Sequence, residues 1–252
     1  MSVKSATPAP NPIVWIDCEM TGLDIDHDAL IEIAVIVTDS ELNALSPGLD
    51  LVIKPPEGIT ENMSDVVREM HTASGLIEEL DSGTTLEDAQ RQVLEHIKQW
   101  VPKPRTAPLA GNSVGTDKAF IERDMPALGD YLHYRVIDVS SIKELARRWH
   151  PRAYFNAPAK DGGHRALADI AESIDELRYY RAVLFPAAGE PSSQDAKKQA
   201  QAVQEHSTVN QLGEGSEQTP AESNVNHNTP SGGPETAKSR GTGEAFGLPP
   251  QA

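Results

Sequence analysis

Apolar residues form three continuous or alternating runs early in the chain, and each run predicts a β-strand. The runs cover residues 13–20, 30–38 and 49–54. Each is rich in β-branched side chains, and short turns separate them. Consecutive strands joined by short turns favour an antiparallel meander, so the first third of the chain is predicted to form three neighbouring strands of one sheet.

The following residues alternate between helical and strand-like patterns. Residues 84–100 carry apolar side chains at helical spacing, with Thr84 or Thr85 placed to cap the helix. The same criteria predict strands at 109–111 and 135–139 and helices at 115–123, 140–149 (capped by Ser140 or Ser141) and 165–184. This order of elements predicts an α/β fold with a mixed, five-stranded sheet flanked by helices.

The composition changes after residue 186. Residues 187–252 are mainly Gly, Pro, Ser, Thr, Asn, Gln and Glu without a hydrophobic period, a composition typical of disordered chain. Within this tail, residues 192–206 are rich in Ala, Gln and Lys and can form a transient helix. Residues 1–11 are also predicted to be disordered, which leaves 12–186 as the folded domain.

Charge and cysteine content restrict the classes of function. The net charge of -16 argues against a broad basic groove for long nucleic acid, although a short nucleic acid can still bind in a small pocket. The single cysteine, Cys18, excludes an intrachain disulfide. No stretch is apolar enough to span a membrane, and the N-terminus has no secretory signal. We therefore expect a cytoplasmic protein that does not bind membranes.

Two acidic residues close the first predicted strand. Asp17 and Glu19 are two positions apart, so their side chains share one face of the strand. Gly22 follows and permits a sharp turn. Acidic pairs at this spacing also occur on exposed strands, so the pair by itself leaves a surface role open.

Three further polar residues lie at helix starts. Asp117 falls in the first turn of a predicted helix, where it could simply complement the helix dipole, and Asn112 and Ser113 before it could donate hydrogen bonds to a phosphate. His164 follows a Gly-rich stretch, and Asp169 lies among apolar neighbours, where an acid needs a cation or a donor. Four carboxylates in one place repel unless divalent cations lie among them. The set therefore predicts a metal site for phosphodiester hydrolysis, with a histidine that accepts a proton from water.

These residues carry a resemblance to a known family. The run Asp17-Cys18-Glu19-Met20-Thr21-Gly22-Leu23, the run Gly111-Asn112-Ser113 with Asp117, and His164 with Asp169 five residues later resemble the three motifs of the DEDDh 3′→5′ exonucleases. Residues 71–76, 133–135 and 138–149 resemble the branch of that family that degrades very short RNA. The resemblance covers nearly all of 12–186 and leaves the C-terminal tail unmatched.

The resemblance implies a ribonuclease H-like fold and hydrolysis of short RNA oligonucleotides, dinucleotides especially, to 5′-mononucleotides. It implies two Mg²⁺ or Mn²⁺ ions, with Asp17 bridging both ions and His164 deprotonating the attacking water. Glu19 and Asp169 would complete the first site, and Asp117 would hold the second. Substrate contacts are implied for Leu23 and His71 with the bases, for Ser113 with the 5′ phosphate, and for Tyr134 and Arg135 across a homodimer interface.

Two other functions remain open at this point. A related DEDDh enzyme acting on longer RNA or DNA would need a basic track for several nucleotides, and the sequence shows none. A binding module without catalytic activity is expected to lack a carboxylate or the histidine, and all five are present.

Overall fold

The computed structural model describes residues 11–159, 163–185, 189 and 191–205. The chain divides into two compact units, Met1–Glu190 and Pro191–Ala252. In the second unit the described residues contain a helix, Ser193–Glu205, whose side chains are all exposed. This helix coincides with the segment whose composition predicted helix formation. The predicted disorder of residues 1–10 and 206–252 falls outside the described residues.

The first unit contains one five-stranded sheet. Its strands are β1 (Ile13–Met20), β2 (Leu30–Thr38), β3 (Leu49–Val52), β4 (Pro108–Gly111) and β5 (His133–Asp138). They are arranged in the order β3-β2-β1-β4-β5. β1, β2 and β3 pair antiparallel, whereas β4 and β5 continue the sheet parallel to β1. The predicted meander and the predicted mixed sheet are both confirmed.

Eight α-helices flank the sheet in the described part of this unit. They are α1 (Asp65–Ala73), α2 (Leu76–Glu79), α3 (Leu86–Trp100), α4 (Gly115–Asp124), α5 (Pro126–Tyr131), α6 (Val139–Trp149), α7 (Pro151–Phe155) and α8 (Ala166–Leu184). The helices α3, α4, α6 and α8 were predicted to within two residues at each end. The helices α1, α2, α5 and α7 were not predicted, and each is short and buries at most one residue.

The caps of two predicted helices were tested by the structure. Thr85 caps α3, and its side chain accepts the Asp88 N–H at 3.2 Å. Asp138 caps α6, and its carboxylate accepts the Ser140 N–H at 3.0 Å. The predicted Ser140 or Ser141 cap is therefore wrong. The helix follows β5 directly, and the acid that ends the strand already supplies the acceptor that a cap requires.

Both faces of the central strand β1 are covered. Val14, Ile16 and Cys18 face a hydrophobic cluster with side chains of α3 and α4. Trp15, fully buried, faces a second cluster formed with α6 and α8. Because side chains alternate along a strand, Asp17 is directed to the face on which α8 packs. The fold thus brings the start of α8 to the end of β1. None of the helices in the described ranges is long and apolar enough to cross a membrane.

Candidate active site

The site lies at one edge of the sheet, where the parallel strands β1 and β4 both end. Asp17 and Glu19 belong to the last residues of β1. The helix α4, which follows β4, carries the buried Asp117 in its first turn. The Asp117 Oδ1 accepts the backbone N–H of Cys18 at 3.0 Å. Since Cys18 lies between the two strand acids, this bond holds the third carboxylate beside them.

The start of α8 and the residues just before it bring the remaining two residues to the same place. Glu19, His164 and Asp169 each offer a ligand atom, and these atoms lie within 4.8 Å of one another. His164 is exposed and has a φ of 47°, in the left-handed region that residues other than glycine rarely adopt. Asp169 lies in the first turn of α8. All five residues predicted to act together are therefore brought to one edge of the sheet.

Burial, and for two of them neighbouring charges, raises the pKa of three of the carboxyl groups. Burial raises the pKa of Asp17 to about 9, and the charges of Asp117, Glu19 and Asp169 contribute to this increase. Burial and the charge of Asp169 raise the pKa of Glu19 to about 8. Burial also raises the pKa of Asp117, to about 6, against the lowering effect of the Cys18 N–H. Burial and like charges both disfavour the ionised form, so this cluster favours the binding of positive charge, as protons or as metal cations.

The donor set fits hard divalent cations. Carboxylate oxygens are the ligands that Mg²⁺, Ca²⁺ and Mn²⁺ prefer in proteins. The four acids supply such oxygens from β1, α4 and α8, and the His164 imidazole is exposed. The arrangement is thus suited to binding divalent metal ions.

The loop between β1 and β2, which follows the strand of Asp17 and Glu19, presents an exposed apolar side chain. Leu23 is 77% exposed. Asp28 organises this loop, since its carboxylate accepts the Thr21 hydroxyl at 2.8 Å and the Asp24 N–H at 2.8 Å. Arg123 of α4 also donates to the Asp28 carbonyl oxygen, at 2.8 Å. The exposed leucine is therefore held on an ordered loop rather than packed in the core.

His71, predicted to contact a base, is fully buried at the end of α1. Its Nε2 donates to the Met20 carbonyl oxygen at 2.9 Å, and its Nδ1 lies 4.0 Å from the Glu19 carboxylate. Burial lowers the pKa of His71. The base-contacting role stays a prediction, and it requires that one face of the ring become uncovered.

The loop after β4 uses most of its donors within the protein. The Asn112 amide donates to Ser173 at 2.8 Å and to Glu176 at 3.2 Å, so the expectation that it donates to a phosphate is not supported. Ser113 has a φ of 52°, and its N–H donates to Asp138 at 3.0 Å. The Ser113 hydroxyl lies 3.0 Å from the Ser140 hydroxyl on the exposed surface, where it can still meet a ligand.

Tyr134 and Arg135 lie far from the carboxylates of their own chain. They belong to the edge strand β5, where Tyr134 is 73% exposed and the Arg135 guanidinium lies 5.5 Å from its ring centre. Val136 is level with Val14, because both pair with Leu109 of β4. Glu19 is five residues further along β1, so Arg135 is roughly 20 Å from it along the strand direction. A single chain does not bring these two residues to the site.

One residue of the site was not singled out from the sequence. Glu32 is fully buried on β2 and is the cross-strand partner of Glu19. The available signal was a lone acid within the apolar run 30–38, and an acid in such a run needs a specific partner.

The sequence profile of a protein family described as Exonuclease matches residues 14–177, which include all five site residues. Exonuclease I from Methylocaldum szegediense superposes with a TM-score of 0.54 at 18% identity. A zinc-ion-bound complex of Escherichia coli exonuclease I with single-stranded DNA superposes with a TM-score of 0.56 at 14% identity. Both matches cover 69% of this chain and 41% of the other, so the chain spans about two fifths of those proteins. At this identity they show the fold alone, and they confirm the ribonuclease H-like prediction. Fold and family profile define the class, which is that of the exonucleases.

The relatives narrow the class further. An oligoribonuclease from Streptomyces coelicolor is 64% identical over 185 residues, covering 73% of this chain and 92% of the relative. One from Leifsonia xyli is 56% identical over 197 residues, covering 78% and 95%. One from Mycobacterium avium is 57% identical over 194 residues, covering 77% and 90%. The chain belongs to the oligoribonuclease family.

Proposed function

We propose that this protein is a 3′→5′ exoribonuclease that hydrolyses very short oligoribonucleotides, dinucleotides especially, to 5′-mononucleotides. One observation carries the proposal. In this chain of the oligoribonuclease family, four carboxylates lie with an exposed imidazole at a single edge of the sheet, and two of the carboxylates, Glu19 and Asp117, are buried. Water attacks the phosphorus of the terminal phosphodiester, the bond to the 3′ oxygen of the preceding nucleotide breaks, and a nucleoside 5′-monophosphate leaves.

Asp17, Glu19, Asp117 and Asp169 would hold two divalent cations, Mg²⁺ or Mn²⁺. Burial, together with the charges of the neighbouring acids, raises the pKa of Asp17 to about 9, which supports this role, since cations relieve the cost of ionising these groups that protons otherwise relieve. When bound, the cations would stabilise charge on the attacking and leaving oxygens. The bond between Asp117 and the Cys18 N–H fixes one carboxylate against the strand that carries two others.

His164 accepts the proton from the attacking water. It is the exposed member of the group formed with Glu19 and Asp169, so water and substrate can reach its ring. Imidazole is the side chain that ordinarily changes protonation near neutral pH. The strained backbone at His164 places the ring ahead of α8 rather than within its first turn.

Leu23, His71 and Ser113 bind the substrate. An exposed leucine held on an ordered loop can pack on a base without reading its identity. The Ser113 hydroxyl, on the surface between β4 and α4, can donate to the 5′ phosphate. We place His71 beneath the terminal nucleotide, next to Glu19.

A homodimer would complete the pocket with Tyr134 and Arg135 of a second copy. The support is geometric, since both residues are on an exposed edge strand about 20 Å from Glu19 of their own chain along the strands. A planar guanidinium suits a terminal phosphate. One such cation per site is compatible with the net charge of -16 and would favour short substrates. The substrate class in turn supports a cytoplasmic location.

Mixing two inactive variants tests this shared site. We expect Asp17→Asn and Arg135→Ala to lose most activity alone, and their mixture to regain part of it after subunit exchange. The heterodimer has one site with Asp17 from one chain and Arg135 from the other, which is complete. Native mass spectrometry shows whether the mixture contains heterodimers. If it does and no activity is recovered, the second copy contributes no residue to the site.

The substrate class is tested with 5′-labelled substrates and Mn²⁺. We expect rapid cleavage of a ribodinucleotide, slower cleavage of a 20-nucleotide RNA, and little cleavage of single-stranded DNA. Equal rates on long DNA would replace the proposal by a nuclease of longer chains. Tight binding of the dinucleotide without product would identify a binding module instead.

Gly22→Ala is expected to weaken substrate binding. A Cβ at position 22 would lie 2.4 Å from the Asp28 carboxylate, whose oxygens are both engaged by the loop, so the loop that carries Leu23 must move. We expect KM for a dinucleotide to rise about tenfold, or 1.4 kcal/mol, with kcat changing less than about threefold. Steady-state kinetics measure both. Gly129→Ala is the matched control, since its Cβ would meet Glu122 at an ordinary 3.4 Å. An equal increase in KM in that variant would show that the effect does not come from the loop that carries Leu23.

A further inference from the structure

A fifth carboxylate lies beside the proposed metal ligands but is engaged elsewhere. Glu32 is fully buried on β2 and pairs with Glu19 across the two strands. Residues directly opposite each other in an antiparallel pair direct their side chains to the same face of the sheet. The Glu32 carboxylate is therefore a neighbour of Glu19 on the face where α8 packs.

Both oxygens of this carboxylate hold the start of α8. Oε1 accepts from the Arg165 Nε at 2.8 Å, and Oε2 accepts from the backbone N–H of Ala166, the first residue of α8, at 2.9 Å. A carboxylate with both oxygens engaged in this way is poorly placed to bind a cation. Instead it satisfies a backbone donor at the helix start that no side chain of the N-cap satisfies.

Arg165 extends the connection to a third segment. Its two terminal nitrogens donate to the Glu79 carboxylate at the end of α2, at 2.9 and 3.2 Å. The Arg165 side chain is 30% exposed and Glu79 is 46% exposed, whereas Glu32 is completely covered. The Glu32 contact is thus the desolvated one, and charge-assisted contacts of this kind define geometry more strictly than surface ion pairs.

The segment that Glu32 and Arg165 hold in place carries two of the proposed catalytic residues. His164 directly precedes Arg165 and has the strained φ of 47°. The Asp169 N–H donates to the Arg165 carbonyl oxygen at 3.1 Å. Any shift of Arg165 therefore moves the imidazole and the carboxylate together, relative to Glu19 on β1.

We propose that Glu32 and Arg165 are positioning residues that set the placement of His164, just before α8, and of Asp169, on α8, against Glu19 on β1. The contacts form a continuous path from β1 through its cross-strand neighbour to the helix start. This inference rests on the proposed function, since it gives the contact between Glu32 and Arg165 a role in the geometry of that reaction. A residue that only stabilised the fold would change the melting temperature without changing turnover per folded molecule.

The test uses two conservative variants. Glu32→Gln keeps the size of the side chain but removes its charge. Arg165→Lys keeps the charge but removes the guanidinium that bonds to both Glu32 and Glu79. We expect kcat for a ribodinucleotide to fall 10- to 100-fold with KM changing less than about threefold, as is typical when groups supporting a metal site are removed. We also expect Mn²⁺ affinity, measured by calorimetry without substrate, to fall about tenfold. The NMR signals of the His164 ring should shift in both variants.

Three controls separate positioning from folding. Glu79→Gln removes only the exposed partner of Arg165 and should change kcat less than about threefold. Arg91→Gln breaks an exposed pair with Asp88 on α3 and should leave kcat and Mn²⁺ affinity unchanged. The double variant Glu32→Gln/Arg165→Gln leaves no unpaired buried charge, so it should fold well while kcat stays low.

The inference would be overturned if Glu32→Gln or the double variant kept the kcat and the Mn²⁺ affinity of the wild-type protein. If the wild-type protein itself fails to cleave a dinucleotide, the proposed function is lost. In that case Mn²⁺ affinity and the His164 signals still decide the inference: unchanged values in both single variants would refute it, and the expected changes would support it.

Discussion

Replacing Asp17 by asparagine is expected to reduce turnover of a ribodinucleotide by at least about 10³-fold and to raise the melting temperature of the metal-free protein. Asparagine keeps the shape but removes the charge that the two cations would share. Losing several kcal/mol of transition-state stabilisation lowers the rate tenfold for each 1.4 kcal/mol. The same change removes a carboxyl group whose charge is disfavoured in the folded state by burial and by neighbouring acids, which raise its pKa to about 9. We expect an increase of at least about 3 °C at pH 7.

Opposite signs for activity and stability distinguish this residue from a structural one. A structural acid would lose both when replaced. Asp130→Asn serves as the control, because Asp130 is an exposed residue whose nearest cationic group, on Arg105, is 4.0 Å away, and it should change neither quantity. Retained turnover in Asp17→Asn, measured with Mn²⁺ in excess, would remove the metal assignment.

Divalent cations are expected to stabilise the protein more strongly as the pH rises. The folded-state pKa values of Asp17 and Glu19, about 9 and about 8, lie above their ordinary values of 3.8 and 4.5. Between about pH 5 and 8 the unfolded carboxyls are ionised while the folded ones retain protons. The folded state then binds more protons than the unfolded state, so the free energy of unfolding falls as pH rises. We expect the metal-free melting temperature to drop by roughly 5 °C or more over this range.

Bound Mn²⁺ should largely remove this dependence, because it stabilises the ionised carboxylates. Thermal melts in chelator and in Mn²⁺ at pH 5.5, 7 and 8 measure the difference directly. The Asp17→Asn/Glu19→Gln variant should show a flatter metal-free profile and a small response to Mn²⁺. A metal-free melting temperature that rises between pH 5.5 and 8 would contradict the raised pKa values.

Local patterns were sufficient to predict most elements that carry the site. The strands β1 and β2 were predicted at their observed bounds, because long apolar runs between turns leave few alternatives. Placement of Asp117 in the first turn of α4 was also confirmed. The gathering of the five site residues followed from motif resemblance more than from pattern, since neither Asp117 nor His164 is distinctive in its own segment.

Long-range contacts could not be read from one chain. Glu32 bonds to Arg165, which is 133 residues away, and only the strand register shows that it faces Glu19. The burial of His71 depends on the packing of α1, a helix that was not predicted and whose one buried residue is His71. The Asp138 cap was missed because an acid at a strand end and the serines after it are equally good cap residues by type. For Glu32 and His71, contacts between distant segments decided the outcome.

The most direct test of the account is a crystal of the protein soaked in Mn²⁺ with a non-hydrolysable dinucleotide, examined by anomalous scattering. We expect two manganese peaks coordinated by oxygens of Asp17, Glu19, Asp117 and Asp169, with the His164 ring facing the scissile phosphate. Nucleotide bound at this edge of the sheet without manganese between those carboxylates would contradict it.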